Sequence, residues 1–88
     1  FKSFEEVIER ANNHELGLCS YVCTSSMEKA HLASEKLETG SVAVNTGVVA
    51  IAEAPFGGIK QSGYGREGGS NAIKDYLNVK YTHLGIKG

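Results

Sequence analysis

Two groups of residues have types and spacings that could do chemistry. Cys19 and Cys23, with His14 and His31 close by in the chain, offer either ligands for a zinc ion or a Cys–His nucleophile pair. Spacing argues against the metal. An extended segment rises ~3.3 Å per residue, which sets the two sulfurs about 13 Å apart, too far for one tetrahedral ion. Cys23 falls inside a strand-like block without a basic neighbour or helix N-terminus to activate it, so both cysteines read as small apolar side chains. His83, with no acid close to it in the sequence, reads as a surface or packed histidine.

The second group is Gly63-Tyr64-Gly65-Arg66-Glu67-Gly68, a literal GxGxxG. A dinucleotide loop needs a buried strand before the first glycine and an acid about 20 residues on; here Lys60-Gln61-Ser62 precedes, and nothing acidic follows Asp75. Within the loop, Arg66-Glu67 is an adjacent charge pair with two open roles. The side chains either clasp loop carbonyls and N–H groups or are aimed at a pocket.

The elements that position these residues are legible as alternating helix and strand. Ser3-Phe4-Glu5-Glu6 is a capping box, and Phe4, Val7, Ile8 and Ala11 recur at helical spacing, with Gly17 as the stop. Ser20–Thr24 reads as a strand. A second capping box, Ser25-Ser26-Met27-Glu28, opens a helix with apolar positions Met27, Ala30, Ala33 and Leu37, which runs to a glycine cap at Gly40. Ser41–Asn45 is the next strand. Strand, helical crossover and strand make a βαβ unit with parallel strands in an α/β fold. Parallel sheets are covered on both faces, and so few elements cannot do that, so the unit belongs to a larger domain.

From Thr46 to Ser70 the periodicity is lost, and six of the eleven glycines fall between 57 and 69. Such a long shaped loop is a place for function. Ser70 then caps a last helix to about Tyr76, and Val79–Leu84 alternates like a final strand.

Composition narrows the class of protein. The 88 residues are 41% apolar and 22% charged, which fits a folded chain rather than a disordered one. A net charge of −1 excludes electrostatic nucleic-acid binding, and no apolar run approaches the ~20 residues of a membrane span. Residues 1–53 carry eight acids against four bases and 54–88 two against five, an asymmetry read as internal pairing. Two cysteines and no secretory signal point to a reducing compartment, the cytoplasm or the mitochondrial matrix of a eukaryote.

The string Ala54-Pro55-Phe56-Gly57-Gly58-Ile59-Lys60-Gln61-Ser62-Gly63-Tyr64-Gly65-Arg66-Glu67-Gly68 resembles the PFGGxKxSGxGRE signature of the aldehyde dehydrogenase superfamily. Ala11-Asn12, Gly17-Leu18, Leu37-Glu38-Thr39-Gly40, Val44-Asn45 and Tyr76-Leu77…Lys80-Tyr81 extend the resemblance over the whole chain. Its GxKQSGxGREG form and its ending are most similar to succinate-semialdehyde dehydrogenases. The resemblance implies a three-domain enzyme that oxidises an aldehyde to an acid with NAD or NADP, through a cysteine thioester and a general-base glutamate. Neither of those two residues is matched here, so the 88 residues alone are expected to be inactive.

By the same resemblance, residues 1–76 form the C-terminal part of the catalytic domain, with the loop 46–69 at the substrate. Residues 77–88 form a strand of the oligomerisation region, in a dimer or tetramer. Phe56 lines the substrate pocket, and Gly57 and Gly58 let the loop turn beneath it. Glu67 joins a buried proton relay. Arg66 braces the subunit interface and a loop whose turns use Gly63 and Gly65, and Val48–Ile51 forms part of the substrate-entry wall. Succinate-semialdehyde enzymes commonly carry a serine at Ala50 or Ile51 to bind the distal carboxylate, and its absence removes ~1.5 to 3 kcal/mol unless replaced. The alternatives are a dehydrogenase for a less charged aldehyde and a non-catalytic assembly module.

Overall fold

The computed structural model describes residues 1–86, beginning with α1 (Phe4–Asn12). Ser3 caps it, its Oγ accepting from the Glu6 N–H at 3.1 Å. The Glu6 carboxylate reaches past the cap to accept from the Lys2 N–H at 2.9 Å. α1 stops at Asn12, five residues before the expected glycine, because Gly17 belongs to a two-residue strand β1 (Leu16–Gly17).

β2 (Cys19–Val22), α2 (Met27–Lys36) and β3 (Ser41–Val44) follow. β2 and β3 pair in parallel, Cys19 opposite Ser41 and Val22 opposite Val44. The cap of α2 is Ser26 rather than Ser25, with the Lys29 N–H donating to its Oγ at 3.2 Å. Ser26 is held in turn by Thr24, whose Oγ1 accepts from the Ser26 N–H. α2 ends at Lys36, not Gly40, since Leu37 is extended at φ −72°, ψ 127°. A distant side chain accounts for that end. The Asn12 carboxamide donates to the Lys36 carbonyl and accepts from the Glu38 N–H, each at 2.8 Å, capping α2 from the end of α1.

β4 (Ile59–Lys60) pairs antiparallel with β1, Leu16 opposite Lys60. The chain then makes a short 3-10 helix, Ala72–Tyr76, in place of the expected α-helix. Its N-cap is Asn71 rather than Ser70, and no side chain caps it. The expected strand at Val79–Leu84 has no ladder among the described residues. Every residue there is exposed, Val79, Tyr81 and Leu84 included; a strand needs a neighbour to share its backbone hydrogen bonds, and none lies beside it among the described residues. The projecting tail stretches the chain to 74 × 24 × 20 Å with a radius of gyration of 18.8 Å, against the ~12 Å of a compact domain this long.

The buried apolar core of the described residues is three alanines, Ala30, Ala33 and Ala43. The first two lie on α2 and the third on β3, and they are too small to supply a domain's worth of burial. The apolar face of α1, including Phe4 and Val7, instead lines an open groove of about 680 Å³ with β2 and α2.

Candidate functional site

The long loop is not loose. Phe56 and Glu67 form a two-way antiparallel bridge, each N–H donating to the other's carbonyl at 2.7 Å. Below it the Gly69 N–H donates to Ala52 at 2.8 Å, so residues 52–56 and 67–69 run side by side. Gly68, at φ +66°, sits so close to this strip that a Cβ would stand 2.7 Å from the Ala54 carbonyl oxygen. A glycine is required there by both conformation and space.

Arg66 clasps the loop. One guanidinium nitrogen donates to the Gly58 carbonyl at 2.8 Å and the Gly65 carbonyl at 2.7 Å, while the Arg66 N–H donates to the Asp75 carboxylate at 3.1 Å. Of the two roles open for this residue, its side chain performs the structural one. The Glu67 backbone takes part in the bridge, and its side chain is exposed. Burial of that carboxylate in a proton relay, which the resemblance implies, requires cover from outside these 88 residues.

Phe56 is half-buried and lines a cavity of about 310 Å³ together with Gly57, Gly58, Tyr64, Glu67 and Tyr76. This cavity is smaller than the groove beside α1, but it is the one that gathers the loop's chemistry-bearing residues. Ala50 and Ile51 lie outside its lining and are exposed. Gly63 and Gly65 adopt φ of +119° and +73°, the turns expected of them.

The loop is docked onto the body of the fold by contacts the sequence did not reveal. The Gly17 N–H donates to Ser62 Oγ at 2.8 Å and the Gln61 N–H to the Glu15 carbonyl at 3.0 Å. Gly40 abuts Gly57, where a Cβ would overlap the carbonyl oxygen. Lys60 reaches across to Glu38. Only the repeated glycines hinted at such close approaches.

The remaining candidates are dispersed. His14 uses Nδ1 to accept from the Leu16 N–H, His31 is exposed 3.4 Å from Glu35, and His83 contacts the Tyr81 hydroxyl at 3.2 Å. Cys19 is half-buried and Cys23 exposed, both as free thiols. Cys19 raises the Tyr21 phenol above its ordinary range, first through a side-chain hydrogen bond and then through charge. The GxGxxG glycines lead into a five-residue 3-10 helix, and the loop is closed on itself by Arg66, so it offers no helix N-terminus to a pyrophosphate.

The chain as a whole is similar to known enzymes. The model of the aldehyde dehydrogenase family matches residues 1–82, and the chain belongs to that family. Over 85 residues it is 51% identical to the 3-sulfolactaldehyde dehydrogenase of Pseudomonas putida, covering 97% of this chain and 18% of that protein. It is 44% identical to the NADP(+) succinate-semialdehyde dehydrogenase of Escherichia coli, over 98% of this chain and 18% of that one. Its fold superimposes on the NAD+ complex of an aldehyde dehydrogenase from Bacillus cereus with a TM-score of 0.91 at 48% identity, covering 99% of this chain and 18% of the other. The chain thus spans less than a fifth of the length of these relatives.

Proposed function

We propose that these residues form the aldehyde-side wall of a longer NAD- or NADP-dependent aldehyde dehydrogenase that oxidises a semialdehyde to its acid. The observation that carries this reading is the Phe56–Glu67 bridge, clasped by Arg66, in a chain of this family. The bridge holds an aromatic ring and a carboxylate at one cavity mouth. The ring contributes apolar contact to the carbon chain of the aldehyde, and the Glu67 carboxylate is available to exchange protons with water. A bound nicotinamide cofactor would supply the hydride acceptor. It is held by segments outside these residues, because the loop that matches GxGxxG is closed on itself.

Residues 1–76 act as the end of the catalytic domain, with the loop 46–69 at the substrate. The tail from residue 77 acts as a strand that completes its ladder on another copy of the chain, in a dimer or tetramer. Its exposed Val79, Tyr81 and Leu84 support that role. The protein works in the cytoplasm. Relatives that are named for aldehydes bearing a carboxylate or sulfonate favour a charged substrate. The alanine and isoleucine at positions 50 and 51 favour a carboxylate held from elsewhere, or a less charged aldehyde. Sequencing the remainder of the chain tests the enzymatic reading. It is expected to hold a nucleophilic cysteine and a general-base glutamate, and the absence of both would leave an assembly module instead.

A further inference from the structure

Lys60 combines two features that seldom meet by accident. Its backbone is left-handed, φ +54°, which a lysine adopts only at a cost. Its ammonium spends all three donors on acceptors from other parts of the fold: the Asn12 carbonyl at 2.9 Å, the His14 carbonyl at 3.2 Å and the Glu38 carboxylate at 2.8 Å. The side chain is 27% exposed, so these bonds are only partly screened.

The three acceptors mark the two junctions on which the loop rests. Asn12 is the last residue of α1 and His14 lies in the turn from α1 to β1, and Asn12 is also the residue that caps the end of α2. Glu38 lies between α2 and β3. Lys60 itself stands two residues after Gly58, whose carbonyl takes the Arg66 clasp. Unfavourable backbone persists where its surroundings over-determine it, and such positions cluster at functional sites.

We propose that Lys60 is a positioning residue, whose tripod fixes the height and angle at which the Phe56–Glu67 bridge stands over the body of the fold. It touches no substrate. Its effect passes through the short link from Lys60 to Gly58 and thence to the clasped bridge. The inference rests on the proposed aldehyde-side role of that bridge.

The test uses the full-length protein with Lys60→Met and Lys60→Arg, read by backbone hydrogen exchange and by steady-state kinetics. Losing the charged tripod is expected to speed exchange across residues 52–69 about 10-fold and lower kcat/KM for a semialdehyde by a similar factor. Exchange in β2 and β3 and the KM for the cofactor should stay within about twofold. Lys60→Arg, which keeps the charge, should recover part of both losses. Should Lys60→Met fail to fold, Glu38→Gln weakens one leg of the tripod and should give a smaller change of the same pattern. Unchanged exchange at 52–69, or an equal change throughout the fold, would overturn the proposal. If the unaltered protein oxidises no aldehyde, the functional reading falls, while the exchange pattern still decides the role of Lys60.

Discussion

Gly40→Ala puts the docking of the loop to its most direct structural test. Gly40 precedes β3, and its N–H donates to the Gly17 carbonyl at 3.0 Å. A Cβ there would overlap the Gly57 carbonyl oxygen and stand 2.8 Å from its carbon and 3.2 Å from Gly58 Cα. All three are backbone atoms, so no flexible side chain can swing aside. Gly57 is itself crowded, since the Gly65 carbonyl and the Arg66 side chain stand close beside it. Relief requires the 56–58 segment to move by more than about 1 Å. Overpacking of this kind costs about 1–3 kcal/mol, and a displacement of that size near the chemistry lowers turnover about 100-fold. If the proposed function holds, kcat/KM of the full-length protein for the aldehyde should fall by about that factor, with a lower melting temperature. Gly47→Ala, at a position with nothing within 4 Å, serves as the stability control. If Gly40→Ala melts and turns over like the unaltered enzyme, the loop does not rest on this contact.

Other substitutions test separate parts of the site. Phe56→Ala should lower aldehyde turnover more than NAD(P) affinity in paired kinetic and binding measurements, and equal activity would remove the ring from the substrate side. Arg66→Met leaves the Gly58 and Gly65 carbonyls without their shared donor and should cost about 1–3 kcal/mol in denaturant unfolding. A loss under about 0.5 kcal/mol would show that the clasp is not structural. Ala50→Ser or Ile51→Ser should raise the preference for a carboxylated aldehyde over an uncharged one of equal length; an unchanged ratio for both would exclude this wall as the carboxylate site. With a core of three alanines, the 88 residues expressed alone should show no sharp cooperative melt by calorimetry, and a sharp one would contradict the shortage of burial.

Local chemistry was the most legible part of the sequence. Ser3 caps α1 as its spacing requires, and the period of Ser41–Val44 marks a strand that pairs with Cys19–Val22. What escaped depended on residues far apart in the chain. Helix α2 ends where Asn12 caps it, 24 residues before Lys36, so no signal near Gly40 could mark that end. The β1–β4 pair joins two-residue strands, too short for any periodicity, and it forms because the glycine loop folds back over β1. The alternation at Val79–Leu84 suggested a strand that the structure does not form, because a strand is a property of two segments and no partner segment lies beside it among the described residues.

The site divides in the same way. Glycines marked the loop and the motif marked Phe56 and Arg66, yet the choice between clasp and pocket for Arg66 needed the positions of the Gly58 and Gly65 carbonyls. Lys60 looked like one more surface cation until its three acceptors came together from the ends of α1 and α2. Glycines 17, 40 and 57 recorded close approaches without saying to what.

The central claim is that this loop forms the aldehyde side of a nicotinamide-dependent dehydrogenase. The most direct measurement is the reduction of NAD and of NADP by the full-length protein against a panel of carboxylated and uncharged aldehydes. Aldehyde-dependent reduction of at least one cofactor, strongest with a semialdehyde and sharply reduced by Phe56→Ala, is the predicted result. No reduction with any aldehyde, or turnover indifferent to Phe56, would contradict it.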